Sequence, residues 1–180
     1  MNSGYCEIFK HSLISKENSK IEYLIGCNEI NFSLDTIINS INIKNNIVSK
    51  DKYENKLRKG LNFGHTIGHA IETHFMPSNK KLLHGEAIAI GIIIESYLSK
   101  HICGFDIEKV DKIKNHLLTI FPKIKFNSKA INNIIKMMEH DKKNKNTKVN
   151  FVLLSDIGKL IFDVNVPNSN ILEAFEYYGE

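Results

Sequence analysis

The chain has 180 residues with 42% hydrophobic content, enough to bury one core without disulfide or metal staples and too short for several domains. Its net charge of +4 rests on 24 basic against 20 acidic residues, and Arg58 is the sole arginine among the basic ones. That balance argues against a nucleic-acid reader, which uses a basic face and the bidentate arginine fork.

In chain order the periodicity is mostly helical. Ser3 is placed to cap a first helix through Tyr5, Ile8, Phe9 and Leu13. Asn31 or Ser33 precedes Leu34, Ile37, Ile38 and Ile41, which recur at three- and four-residue spacing on one face. A helix is expected over residues 61–75, and Pro77, Ser78 and Asn79 open a loop. Residues 84–101 are apolar on nearly all sides, so they predict a buried central helix. An amphipathic helix over residues 108–118 stops near Pro122, and Ser128 precedes another with Ile131, Ile134, Ile135 and Met138 inward. The tail then changes period: Val149, Phe151 and Leu153 alternate with Asn150 and Val152. Asp156-Ile157-Gly158 offers a turn before Leu160, Phe162 and Val164, which is a short hairpin. Asn168 is placed to cap a last helix through Tyr178, and the lysine-rich residues 144–148 read as a mobile loop. The expected fold class is mainly α with one short β-hairpin near the C-terminus, in a single domain over residues 1–180.

Cys6, Cys27 and Cys103 are odd in number and without C-x-x-C spacing, which suits a reducing compartment. The longest apolar stretch, residues 87–94, is far below the ~20 residues of a membrane span. Glu7, Lys10 and His11 near the start are foreign to a signal peptide. A cytoplasmic protein without membrane or nucleic-acid partners is expected. No glycine-rich turn follows a strand and opens a helix, so the chain has no dinucleotide-binding fingerprint.

Four of the eight histidines lie close together in sequence: His65, His69, His74 and His84. His65 and His69 are four apart and share a helix face, where neutral imidazoles can converge on one divalent ion. A connection of about 8 residues would let the next helix return antiparallel and bring His84 beside them. Gly64 and Gly68 each precede a histidine inside the expected helix, where glycine costs ~1 kcal/mol relative to Ala; this points to close approach of another helix or a ligand. Gly85 repeats the pattern beside His84. His74, before Phe75 and Pro77, reads as structural. A site of two histidines wants a carboxylate, and Glu7, Glu54, Glu72 and Glu86 are all candidates. Two His plus one carboxylate leaves positions open for substrate, as a catalytic rather than structural zinc site requires.

The stretch Leu57-Arg58-Lys59-Gly60-Leu61-Asn62-Phe63-Gly64-His65-Thr66-Ile67-Gly68-His69-Ala70-Ile71-Glu72, followed by His84-Gly85-Glu86-Ala87-Ile88-Ala89-Ile90-Gly91, resembles the L-N-x-G-H-T-x-G-H-A-x-E and H-G-E-A-V-A-x-G signatures of 3-dehydroquinate synthase. Gly4 to Lys10 is similar to the family's G-x-A-E-x-I-K segment, with Cys6 in place of alanine. Ile43, Lys44, Val48, Asp51, Glu54 and Arg58 fit its linking run, and Asp141-Lys142-Lys143 with the strand after it resembles its D-K-K element. The likeness covers the whole chain as the family's C-terminal, mostly helical domain.

The resemblance implies zinc, replaceable by cobalt, held by Glu7, His65 and His84, with NAD as the second cofactor. It implies conversion of 3-deoxy-arabino-heptulosonate 7-phosphate to 3-dehydroquinate with loss of phosphate, a lyase step of the shikimate pathway towards chorismate and aromatic amino acids. His69 and Glu54 take the proton-handling positions. Lys10, Lys44, Arg58, Asn62 and one or both of Lys142 and Lys143 take the substrate-binding ones. The NAD-binding α/β domain of a complete enzyme is expected to be missing from this chain, so a homodimer of the complete form, or pairing with a separate N-terminal half, is anticipated. The alternatives are another sugar-phosphate cyclase, such as a 2-deoxy-scyllo-inosose synthase, an iron-type alcohol dehydrogenase, or a truncated metal-binding domain inactive on its own.

Overall fold

A computed structural model describes residues 2–16, 19–27, 33–77, 81–143 and 149–180; at residues 2, 3 and 140–143 only the backbone is described. The chain folds as α1 (Asn2–Ile14), α2 (Ile21–Gly26), α3 (Leu34–Lys50), a 3-10 helix (Leu57–Asn62), α4 (His65–Phe75), α5 (His84–Cys103), α6 (Ile107–Ile120), α7 (Ser128–Lys143), β1 (Asn150–Asp156), β2 (Lys159–Asn165) and α8 (Asn168–Gly179). The mainly helical class with one antiparallel hairpin matches the expectation. Ser3 as a cap, Asn31 and the loop over residues 144–148 lie outside what is described.

α5 is the axis of the fold. Its apolar run buries Ala87 through Ile94 together with Leu98, and α1, α4, α6, α8 and β1 all pack on it. α4 and α5 approach unusually closely. A Cβ at Gly91 would sit 2.0 Å from the carbonyl oxygen of Gly64 and 2.9 Å from the backbone nitrogen of Gly68. Backbone therefore touches backbone, and the glycines exist to allow it.

That contact corrects the expected boundary of α4. The helix starts at His65, and Gly64 is its N-cap in the left-handed region (φ 78°) rather than an interior residue. A side chain there would be strained and would also meet Ile92. The preceding residues tighten into the 3-10 helix, which hydrophobic periodicity alone does not signal; the six-residue α2 was likewise not anticipated.

α3 also turns differently from its apolar spacing. Ile43 and Ile47 face inward with Thr36 and Ser40, while Leu34, Ile38 and Ile41 are 72, 46 and 51% exposed. The inward polar residues have partners there: Ser40 Oγ lies 2.7 Å from Nδ1 of buried His11 on α1. A buried imidazole needs a hydrogen bond, and α3 presents the face that supplies one. Ser33 caps this helix, accepting from Thr36 N–H at 3.2 Å.

Three smaller adjustments follow from local hydrogen bonding. Asn127, not Ser128, caps α7 by accepting from Ala130 N–H at 2.8 Å. Pro167 occupies the N-cap of α8, and Asn168 instead donates to Glu139 at 3.0 Å. In β1, Phe151, Val152, Leu153 and Leu154 are all buried without alternation, because α5 and the 3-10 helix both lie against it; β2 keeps the alternation. The hairpin is tied to α1 by Gly158 N–H donating to Leu13 C=O at 2.8 Å.

Candidate functional site

Three helices bring their chemistry together. α1 presents Glu7 and Lys10, the first turn of α4 presents His65 and its next turn His69, and α5 opens with His84. Four-residue spacing places the His65 and His69 rings 5.1 Å apart. Antiparallel packing of α4 on α5 then brings the His84 ring to 5.9 Å from His65 and 5.7 Å from His69. One ring nitrogen from each lies within 4.8 Å of the others.

Hydrogen bonds select the atoms. His65 Nδ1 lies 3.2 Å from the Phe63 carbonyl oxygen, which can only accept, so Nδ1 carries the proton and Nε2 keeps the lone pair. That Nε2 is 3.4 Å from Glu7 Oε1. Two ligands bound ~2.1 Å from a tetrahedral ion stand about 3.4 Å apart. His84 Nδ1 donates to Glu72 Oε2 at 3.1 Å, leaving its Nε2 free to ligate. Both rings thus have the outer hydrogen bond that metal-binding histidines use to fix their tautomer.

The four candidate carboxylates now separate. Glu7 faces His65, and Glu72 orients His84. Glu86 accepts from Leu83 N–H at 2.7 Å and caps α5. Glu54 accepts from Asn62 Nδ2 at 2.9 Å. The donors that could hold a divalent ion are therefore the clustered rings of His65, His69 and His84, with Glu7 as the carboxylate next to His65.

The electrostatics of this corner are tight. Lys10 is 2% exposed and grips both Glu7 oxygens at 3.0 and 2.9 Å. Burial alone would raise the Glu7 carboxyl, but a hydrogen bond from His65 in its doubly protonated form, together with the Lys10 ammonium, brings it well below the usual carboxylate range. The neutral, metal-binding form of His65 leaves Lys10 as the stabilising partner. Burial lowers the Lys10 pKa, opposed by Glu7. Burial, with His65 and His84 close by, also lowers that of His69.

Glu54, Arg58 and Asn62 form a second group on the loop after α3 and the 3-10 helix that follows it. Asp51 organises it, its carboxylate accepting from the N–H groups of Asn55, Lys56 and Arg58 at 2.9, 2.8 and 3.0 Å. This loop carries Glu54 in the left-handed region (φ 58°) to its contact with Asn62. The Arg58 guanidinium donates to the Lys52 carbonyl at 2.9 Å. Lys44 is exposed on α3, near enough to Lys10 and His11 to disfavour their charge. The side chains of Lys142 and Lys143 lie outside those described. His74 has its ring edge-on to Phe75 at 5.1 Å, in keeping with a structural part.

Two positions escaped the sequence reading. His11, whose Nε2 points towards Glu7 at 3.8 Å, looks like any histidine on an amphipathic helix. Glu95 is fully buried on α5 and bonds the start of α4. A lone acid in the middle of an apolar helix was the available signal for it.

Residues 4–144 match the family model for the 3-dehydroquinate synthase C-terminal domain. The 3-dehydroquinate synthase of Parabacteroides distasonis is 38% identical over 99% of this chain and 51% of its own length, and that of Leptospira interrogans 38% over 95% and 48%. The chain spans about half the length of these curated relatives. Among solved structures, 2-deoxy-scyllo-inosose synthase complexed with carbaglucose-6-phosphate, NAD+ and Co2+ superposes with a TM-score of 0.76 at 28% identity, over 98% of this chain and 51% of its own. A 2-epi-5-epi-valiolone synthase from Streptomyces hygroscopicus, with NAD+ and Zn2+ bound, gives 0.77 at 18% identity over 99% and 51%, and so shares the fold. With the signature histidines assembled in one corner and the family model matched over most of its length, the chain belongs to the 3-dehydroquinate synthase C-terminal family.

Proposed function

We propose that the chain is the metal- and substrate-binding helical part of a 3-dehydroquinate synthase. The whole enzyme would convert 3-deoxy-arabino-heptulosonate 7-phosphate to 3-dehydroquinate with release of phosphate. The observation that carries this reading is the clustering of His65, His69 and His84, with one ring nitrogen of each within 4.8 Å of the others, and Glu7 Oε1 3.4 Å from His65 Nε2, the separation of two ligands on a tetrahedral ion. From this group we take Glu7, His65 and His84 as the ligands, with His69 left for substrate. These residues fit zinc or cobalt through their two imidazoles and one carboxylate. When bound, the ion supplies a Lewis acid that acidifies a coordinated hydroxyl, and NAD, for which this chain has no glycine-rich fingerprint, supplies the hydride acceptor.

The chain's own residues do the rest. Lys10, already paired with Glu7, keeps an ammonium at the ion site to hold a substrate oxygen. His69, exposed and one turn from His65, stands where a proton leaves or joins substrate. Glu54, held by Asn62, is the second proton-handling group. Arg58 offers a planar fork to the substrate carboxylate, which requires its guanidinium to leave the Lys52 carbonyl. Lys44, and Lys142 or Lys143, add cationic contacts for carboxylate and phosphate. A cytoplasmic location belongs to this reading, supported by three free cysteines and by the absence, among the described residues, of any helix able to cross a membrane. A homodimer of the complete form also belongs to it.

A second reading is a sister sugar-phosphate cyclase, favoured by the 28% identity to 2-deoxy-scyllo-inosose synthase. The test is phosphate release with NAD and either the heptulosonate phosphate or glucose 6-phosphate, by the chain alone and mixed with the N-terminal half of a relative. Release from the heptulosonate alone supports the synthase, and release from glucose 6-phosphate the sister enzyme. Failure of the complemented protein on both, despite bound zinc, refutes both. His84→Ala should abolish stoichiometric zinc by elemental analysis; full retention refutes the ligand set.

A further inference from the structure

α5 carries an acid that the site's chemistry does not use. Glu95 is 0% exposed in the most apolar helix of the chain. Its partners are backbone donors of another helix: Gly64 N–H to Oε2 at 2.7 Å, Ile67 N–H to Oε1 at 3.1 Å, and the N–H of Thr66. These belong to the group of amides at a helix start that have no partner within the helix. An N-cap side chain ordinarily satisfies one or two of them. Here the N-cap is Gly64, which has no side chain to offer, because its φ of 78° and its contact with α5 exclude one. Glu95 performs the cap from the neighbouring helix, its two carboxyl oxygens accepting where an N-cap side chain ordinarily would.

The residue between the clamped amides is His65. It is the first residue of α4, in the turn that in an uncapped helix frays first. Metal–ligand distances tolerate deviations of only about 0.2 Å, so a loose first turn would leave His65 poorly aimed. The same helix α5 carries His84 at its own start. One rigid element thus bears one ion ligand and holds the backbone of the other.

We propose that Glu95 is a positioning residue for His65: its buried carboxyl group fixes the first turn of α4 and so sets the affinity and geometry of the divalent-ion site. This rests on the reading of His65 as an ion ligand. Burial pushes the Glu95 carboxyl up to about 8, while the three N–H donors favour the ionised form.

The test is Glu95→Gln, which keeps the shape but turns one acceptor oxygen into an NH2 group facing an N–H. Zinc affinity, measured by competition with a chromophoric chelator, should fall about 10- to 100-fold, as it does when the support of a ligand is removed. The visible absorption of the Co2+ form should change, since it reports ligand geometry, and amide exchange at Gly64, Thr66 and Ile67 should quicken. Leu117→Ala, in the core on α6, should lower stability while leaving zinc affinity and the Co2+ spectrum unchanged. Zinc affinity within twofold of the parent in Glu95→Gln, with an unchanged Co2+ spectrum, overturns the proposal; so does an equal loss in Leu117→Ala. If Glu95→Gln does not fold, the unmodified chain decides. Zinc should slow exchange at those three amides, because coupling is reciprocal, and no change on saturation overturns the proposal. Should the unmodified chain bind no zinc, the ion-site reading itself fails; zinc lost in His84→Ala but unaffected by Glu95→Gln removes the positioning claim alone.

Discussion

Gly91→Ala tests the helix contact on which the site depends. The added Cβ would lie 2.0 Å from the Gly64 carbonyl oxygen and 3.0 Å from its carbon. Ordinary contact begins near 3.4 Å, so α4 and α5 must part by roughly 1.4 Å at this point. No rotamer change relieves the clash, because the obstructing atoms are backbone. Alanine in place of helical glycine recovers ~1 kcal/mol of propensity, whereas overpacking against an immovable wall costs about 3 kcal/mol. The net loss is about 2 kcal/mol, or a melting temperature lower by roughly 4–8 °C in a domain of this size. A displacement of that order also exceeds the tolerance of a metal site several-fold, so zinc binding should weaken with stability. Thermal unfolding monitored by circular dichroism, paired with zinc titration, measures both. A variant as stable as its parent would show that the close contact does not constrain the fold.

Gly4→Ala is the matched opposite. Nothing lies within 4 Å of its would-be Cβ on α1, so stability should rise by about 0.5–1 kcal/mol; a fall in the urea midpoint would contradict this. Ser99 Oγ accepts from Leu154 N–H at 3.0 Å and joins α5 to β1. Ser99→Ala leaves that buried donor unpaired and should cost about 1–3 kcal/mol in chemical unfolding, a prediction that an unchanged midpoint would reject. His116 stacks on Phe9 with ring centroids 5.3 Å apart and meets the Tyr5 hydroxyl at 2.5 Å. Burial lowers its pKa from 6.5, so the unfolded chain binds the extra proton and stability should fall as pH drops below 6.5. His116→Gln should flatten that part of the stability profile, and an equally steep profile in the variant would assign the loss to other groups.

The three helices of the site illustrate what local pattern can carry. His65 and His69 share a face because four residues make roughly one turn, and no tertiary information is needed for that. The apolar stretch opening α5 could belong only to a buried helix of this length. The signature residues around His65 and His84 were likewise enough to place the family. Spacing did not distinguish Glu7 from Glu54, Glu72 and Glu86; resemblance did. Glu7 is 58 residues from His65, and its approach at 3.4 Å depends on how α1 and α4 each pack on α5.

Apolar periodicity mispredicted α3 for a related reason. It records which residues would prefer burial, but burial also had to satisfy His11, and Ser40 could do so. The αL corner at Gly64 was hidden within what read as a continuous helix, since the reason for glycine there is Ile92 and the backbone of α5. Glu95 was hidden the same way: in sequence it interrupts an apolar run, and only the packed pair of helices supplies the amides that make its burial tolerable. Local pattern was enough for the longer helices, the hairpin, the histidine face and the family, but not for α2, the 3-10 helix or the start of α4. The tertiary structure decided which carboxylate meets which histidine and what holds the first turn of α4, because those contacts join residues distant in the chain through backbone groups whose positions no side-chain pattern encodes.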